Sequence, residues 1–152
     1  MYVVYHDSSG THSSVIAAAI HLNLLPADRI PSTSDLLNIP LFDGLERKDL
    51  GRLFFHGKDE NNNQIYTIGC HRVPQLVSHA LSSVFQMIDR NPEEILCVDT
   101  SPTINQWIRI GNWSSRQLGF VTLGRSLVVH GTFNAYPKIV SIVKNAKLKV
   151  AP

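Results

Sequence analysis

The sequence predicts a three-layer α/β/α fold with a mostly parallel sheet, and three observations carry that expectation. Short apolar runs rich in β-formers alternate with longer runs at helical spacing, the order that βα units produce. Two strand-like runs, RLFFHG and QIYTIG, flank the polar stretch KDENNN, the signature of one β-hairpin. The first apolar run passes through a hydroxyl-rich loop with a single glycine straight into a helical run, a P-loop-like strand–loop–helix entry.

In chain order, YVVYH (2–6) reads as a buried strand. SSVIAAAIHLNLL (13–25) reads as a helix: Val15, Ala18, Ala19 and Leu22 share a stripe, Ile16 and Ile20 widen it, and Pro26 closes it. Residues 24–51 are the least regular, and only a helical turn through SDLLN with Ser34 as its cap is expected there. The hairpin follows. VPQLVSHALSSVFQMID (73–89) then places Leu76, Val77, Ala80, Leu81, Val84, Phe85 and Ile88 on one stripe, with Pro74 in the first turn. EEILCVDTSP holds a strand that ends at Asp99. TINQWIRIGNWSSRQLG (103–119) reads as a helix with Ile104, Trp107, Ile108 and Leu118 inward, weakened at Gly111 and ended by Gly119. SLVVHG (126–131) reads as a further strand. TFNAYPKIVSIVKNAKL (132–148) closes the chain as a helix starting properly near Pro137. All 152 residues are expected to form one α/β domain.

Composition narrows the function classes. The chain is 43% hydrophobic and 17% charged, enough to bury a core. A net charge of +2 gives no bulk field to attract nucleic acid or a membrane surface. No apolar run approaches the about 18 residues of a membrane span, and MYVVYHDSSG lacks the basic-then-apolar pattern of a signal peptide, so a cytoplasmic protein is expected. Cys70 and Cys97 sit in apolar strand-like runs and read as buried, reduced thiols, with no CxxC spacing for zinc.

Ligands of open α/β sheets bind beyond the carboxyl ends of the strands. Those ends should carry His6 and Asp7, then Cys70, His71 and Arg72, then Asp99, Thr100 and Ser101, then His130 and Gly131. Because the hairpin reverses one strand, either His56 or His71 must lie at the opposite edge. A metal set of His6, His71, His130 and Asp99 is conceivable on donor chemistry, but it has no close ligand pair such as HxH or HExxH, and no metal is assigned. His21 and His79, within helices, read as surface or satisfied core residues.

The opening loop is the strongest lead. Backbone N–H groups at a helix start attract anions, Gly10 would allow close approach, and Ser8, Ser9, Thr11, Ser13 and Ser14 add hydroxyls, with His12 as an added cation. A Walker A loop needs GxxxxGK[ST]; here the first glycine falls at His6, and threonine and histidine stand near the second glycine and the lysine. EEILCVD, a strand ending in an acid, resembles a Walker B strand, and Asp99 would there orient a metal-bound or bridging water. The cysteine-phosphatase frame HCxxGxxRS fits HDSSGTHSS at His6, Gly10 and Ser14, but Asp7 replaces the nucleophilic cysteine and Ser13 the arginine. Without a ligand, the same loop would be a helix start capped by Ser13 or Thr11 and turned by Gly10. Arg109 and Arg116, seven apart on one helix face, could complete a phosphate site or simply be surface charge, with Arg125 nearby.

YHDSSGTHSSVIAAAIHLNLLPADRIP and RIGNWSSRQLGFVTLGRSLVVHGTFNAYPKIVSIV resemble an uncharacterised bacterial family, domain of unknown function 3189, found in spore-forming bacteria. The resemblance spans nearly the whole chain and rests most on the loop followed by HSS and AAAIHL and on AYPKIV. It implies a single full-length cytoplasmic domain. It also implies cysteine and further glycine in the opening loop, where this chain has Asp7 and Ser9.

Three functions are therefore expected, in this order. The first is binding of a phosphate-containing ligand or nucleotide, with Mg²⁺ as a companion, by Ser8, Ser9, Gly10, Thr11, His12, Ser13, Ser14, Arg109 and Arg116. The second is a non-catalytic regulatory or partner-binding protein on a degenerate P-loop or phosphatase-like scaffold. The third is a small hydrolase or transferase with His6 or His12 as general base. The catalytic candidates across these readings are His6, Asp7, His12 and Asp99.

Overall fold

The computed structural model describes residues 1–103 and 121–151. A mixed sheet of four strands runs through it: β1 (Tyr2–Asp7), β2 (Leu53–Lys58), β3 (Gln64–Gly69) and β4 (Ile95–Asp99), in the order β2-β3-β1-β4. β1 is parallel to both of its neighbours, with Val4 paired to Tyr66 and to Cys97. β2 is antiparallel to β3, as the hairpin reading required, with a bulge between Phe55 and Gly57. Four helices are described: α1 (Ser13–His21), α2 (Thr33–Leu37), α3 (Pro74–Met87) and α4 (Val121–Val150).

β1 is central because it is apolar on both faces, and only a strand covered on both sides can bury so continuous a run. Its residues alternate between two clusters. Val3 and Tyr5 join a large one with Ile16, Ala19 and Ile20 of α1 and Val128, Ile139 and Val143 of α4. Val4 joins a small one with Ile68 and Cys70, against Val77 and Leu81 of α3. Every residue of α1 is buried, which its Ala- and Ile-rich composition permits.

Four expectations need correction. First, α1 stops at His21 rather than running to residue 25: Leu22 closes it, and Asn23 takes a left-handed φ of 58°. Second, Ser32, not Ser34, caps α2, because Asp35 lies three residues on and returns the bond in a capping box. Third, residues 126–131 are helical, so the sheet lacks the strand expected there. A six-residue run with only Leu127, Val128 and Val129 apolar cannot by itself distinguish the two periods, and the longer pattern decides it. Val128, Thr132, Ala135, Tyr136, Ile139, Val143, Ala146 and Val150 form one buried stripe at helical spacing. Fourth, that stripe carries α4 through Pro137, which lies inside the helix rather than at its start. An interior proline costs about 3 kcal/mol, and buried apolar side chains on both sides of it offset that.

Pro74 sits in the first turn of α3, as expected, but no residue of this helix is buried. Val77, Leu81 and Phe85 are half-covered, while Leu76, Val84 and Ile88 of the same stripe are exposed. The helix expected at 103–119, with Arg109 and Arg116, lies outside the described residues. So does the side chain of Arg125. Of the two histidines left open, His71 follows β3 at the carboxyl edge, and His56 lies within β2, where its Nε2 meets Thr67 Oγ1 at 2.9 Å.

Candidate functional site

The ends of β1, β3 and β4 meet at one edge. Register sets His6 beside Ile68 and Asp99, and Asp7 beside Gly69. Past the strands, Cys70 N–H donates to Asp7 O, His71 N–H to Ser8 O, and both the amide and the hydroxyl of Thr100 to His6 O. The loop from Ser8 to His12 is pressed onto the end of β3. Gly10 has φ +74°, and a Cβ there would stand 2.5 Å from Gly69 N; a Cβ on Gly69 would stand 2.7 Å from Ser9 O. The close approach expected of Gly10 is thus toward Gly69, not toward a ligand.

The occupant of the loop is Asp7. Its carboxylate is fully buried. Oδ1 accepts from Ser9 N (2.8 Å), Gly10 N (2.6 Å) and Ser9 Oγ (3.1 Å). Oδ2 accepts from Ser14 N (2.9 Å), Ser13 Oγ (3.0 Å) and Ser14 Oγ (2.9 Å). Burial pushes the carboxyl pKa upward, but His12 and the amides of Ser14, Gly10 and Ser9 outweigh it and hold the group below its usual range. Asp7 is therefore an anion at neutral pH, held by the amides and hydroxyls a phosphate would use. It also serves the start of α1: the residue before the helix, His12, makes no capping bond with its side chain, and Ser14 N–H goes to Asp7 instead. Carrying six donors and shielded from solvent, this carboxylate is a poor nucleophile.

Thr11 is committed elsewhere. Its hydroxyl donates to Leu41 O and accepts from Gly44 N and Leu45 N, while Asp43 N–H donates to Thr11 O. Residues 41–45 thereby fold over the loop. His12 lies beneath them, edge-on to Phe42, with Nε2 3.3 Å from Asp43 Oδ1 and Nδ1 3.1 Å from Ser9 Oγ. Gly10 to Ser14 are all buried; Ser8 is exposed and Ser9 half-buried. The loop residues singled out in the sequence are brought together, but around a carboxylate of their own chain. The reading in which Ser13 or Thr11 caps the helix is not what the structure holds.

His6 is buried beside Asp99; its Nδ1 lies 3.7 Å from Asp99 Oδ1, and that nitrogen has no hydrogen-bond partner among the described residues. Burial is the dominant influence and lowers its pKa, so His6 is neutral at neutral pH. Asp99 is exposed and accepts from Ser101 N. His71 is exposed, and His130 lies on α4 rather than at a strand end. The set His6, His71, His130 and Asp99 is not assembled: among the described residues no group of three or more His, Cys, Asp or Glu could hold a metal. Cys70 is a buried free thiol whose pKa burial raises to about 12, and Cys97 is free and half-buried.

Two features escaped the sequence. One is Asp43, the carboxylate on His12, whose only signal was an Asp–Gly pair in an irregular stretch. The other is a buried network at the opposite edge of the sheet. Tyr5 OH meets His21 Nδ1 at 2.7 Å, and His21 Nε2 meets Asp59 Oδ2 at 3.1 Å. Asp59 also accepts from the amides of Asn61 and Asn63 and from the Asn63 side chain.

The chain matches the family described as a protein of unknown function (DUF3189) over residues 2–148, and it belongs to that family. No curated protein and no solved structure matches it.

Proposed function

We propose that the chain is a non-catalytic regulatory or partner-binding protein of the bacterial cytoplasm. On this reading its scaffold is a three-layer α/β/α domain with a degenerate P-loop or phosphatase-like cradle. One observation carries the proposal: six donors of the loop converge on the Asp7 carboxylate, which takes the place of a bound anion. In the phosphatase-like frame Asp7 stands where the attacking thiolate would stand, so the chain keeps the cradle and loses the nucleophile. A phosphate or nucleotide at Gly10 to Ser14 would have to displace a covalently tethered anion, and a second negative charge beside it would be repelled.

The partner half of the proposal draws on the other side of the sheet. Leu53 and Phe55 of β2, Leu76, Val84 and Met87 of α3, and the adjoining Ile88 are all exposed. Isolated exposed apolar residues are ordinary, but several close together on one helix and an edge strand favour an interaction surface. No helix among the described residues is long and apolar enough to cross a membrane.

The test is a thermal-shift panel of inorganic phosphate, nucleotides and Mg²⁺ on the native chain and on Asp7→Gly. Millimolar ligand should leave the native transition unmoved. Phosphate should raise that of Asp7→Gly, because binding to the folded state alone stabilises it by mass action. A native chain stabilised by phosphate or nucleotide would overturn the proposal in favour of direct ligand binding.

A further inference from the structure

Beside the carboxylate cradle, and sharing one hydroxyl with it, lies a chain of three side chains that the partner-binding reading leaves unused. Ser9 Oγ is 3.1 Å from His12 Nδ1, and His12 Nε2 is 3.3 Å from Asp43 Oδ1. Hydroxyl, imidazole and carboxylate thus stand in the order that activates a serine: a base on the nucleophile and an acid orienting the base. Their exposure is graded. Asp43 and His12 have side chains 10% and 1% exposed, while Ser9 is half-open to solvent. Packing holds the base in place, since Phe42 lies edge-on to the ring and Asp43 N–H is tied to Thr11 O. In the neutral tautomer that directs Nε2–H at Asp43, Nδ1 is the acceptor for the Ser9 hydroxyl. That hydroxyl has a second acceptor, Asp7 Oδ1, also at 3.1 Å. Turning from Asp7 to His12 still leaves Oδ1 the amides of Ser9 and Gly10.

We propose that Ser9 is a reactive serine that takes an acyl group from an activated ester, with His12 as proton acceptor and Asp43 as a positioning residue. The Ser9 oxygen adds to the ester carbonyl carbon as its proton passes to His12 Nδ1. The carbonyl re-forms, the bond to the leaving oxygen breaks, and that oxygen takes the proton back from His12. The products are a Ser9 ester and a free alcohol, and no electrons are exchanged with an outside reagent. The Ser9, Gly10 and Ser14 amides are held by Asp7 rather than offered to an oxyanion. That confines the reaction to esters with good leaving groups and stops it at one acyl group per chain. The modification goes beyond the partner-binding reading and is compatible with it.

The probe is p-nitrophenyl acetate on the full chain, followed by p-nitrophenol release and by mass mapping of the acetylated residue. One equivalent of nitrophenol is expected, with the acetyl group on Ser9 and not on its exposed neighbour Ser8. Ser9→Ala should abolish it. His12→Gln should slow it by about 100-fold, the low end of what a positioned general base contributes. Asp43→Asn should leave the melting temperature in place, slow acetylation, and shift its pH profile. His12 is faced by Asp7 from β1 and by Asp43 from the covering segment, and an Asp43 with a merely structural role would leave both the rate and its pH profile unchanged. If His12→Gln does not fold, Ser9→Ala and Asp43→Asn still decide the matter. Acetylation confined to Ser8 or to lysines, or an unchanged rate and pH profile in Asp43→Asn, would overturn the proposal. So would turnover beyond one equivalent. Failure of the anion test under Proposed function would leave these outcomes intact, so the two ideas fall separately.

Discussion

Two buried carboxylates, Asp7 at the carboxyl edge of the sheet and Asp59 at the amino edge, solve the same problem by different means. Asp7 lies wholly inside and Asp59 nearer the surface with its side chain screened from solvent, and an unpaired charge is costly in both places. Asp7 is answered locally: its donors all come from Ser9 to Ser14. Asp59 is answered by its own turn and by His21, which is 38 residues away in sequence. His21 in turn reaches Tyr5 of β1, and Asn63 binds the Val150 carbonyl at the end of α4. The first network makes a loop rigid. The second ties a strand, a helix, a hairpin and the last helix together. A local network can form as soon as the loop does, whereas the other exists only once the fold is complete.

The largest expected effect separates the two at once. Asp7→Ala strips the acceptor from the amides of Ser9, Gly10 and Ser14 and from the Ser14 hydroxyl, and should cost about 4 kcal/mol or more in urea unfolding. Added phosphate or sulfate should restore part of it, whereas no anion should rescue an amino-edge variant. Next comes the loop's seat on β3. Gly10→Ala should cost about 3 kcal/mol, since it adds a backbone clash to a left-handed φ. Gly51→Ala, at φ +80° with nothing within 4 Å, carries only the conformational penalty and should cost about 1 kcal/mol. At the amino edge, Asp59→Ala and His21→Leu should each cost about 2 kcal/mol and combine with a sum well short of additive, because they remove one shared network. Additive effects would mean the two residues act separately.

Acid should resolve the two regions by pH. The His21 pKa is lowered, chiefly by burial and against the pull of Asp59. The stability this gives is fully present above the unfolded value of 6.5 and is lost as pH falls below it. His6 and His56 are lowered by burial as well and add to the same step. The Asp7 pKa is also lowered, and its stability is present above the unfolded value of 3.8 and lost only below it. A stability curve from pH 8 to 3 should therefore fall first through the histidines, and His21→Gln should shrink that first step while leaving the later one. The smallest effect belongs to the exposed α3 surface. Met87→Lys, 81% exposed, should change stability by less than about 0.5 kcal/mol, so any loss of partner capture in that variant reports the surface and not the fold.

Much of the fold was legible. The order of β1, α1, the hairpin, α3 and β4 follows from periodicity, and Pro74 and Asp99 fall where their residue types suggested. What failed was the stretch from 126 to 137, where a strand and a helix start were expected and one helix runs through both. SLVVHG carries no period of its own, and Gly131 and Pro137 look like breaks. Only the buried stripe from Val128 to Val150, set by packing against α1, overrides them. The site was legible in location and not in occupancy. Small residues between a strand and a helix announce an anion cradle, and the phosphatase-like frame sets Asp7 where the nucleophilic thiolate would stand. That its own side chain is the anion depends on where six donors point, which a linear pattern does not specify.

By itself the sequence determined the class: alternating periods produce a mixed α/β sheet, and HDSSGTHSS produces a strand, a tight turn and a helix start rich in donors. Tertiary structure alone decided what those donors bind. It brought Gly10 against Gly69, folded residues 41–45 over Thr11, set Asp43 on His12, and joined Tyr5, His21 and Asp59 across more than fifty residues of chain. The physical reason is one of range. Propensity and capping act within a turn or two of chain and can be read in order, whereas the partner of a buried charge is whichever group the packed core leaves within three ångströms of it.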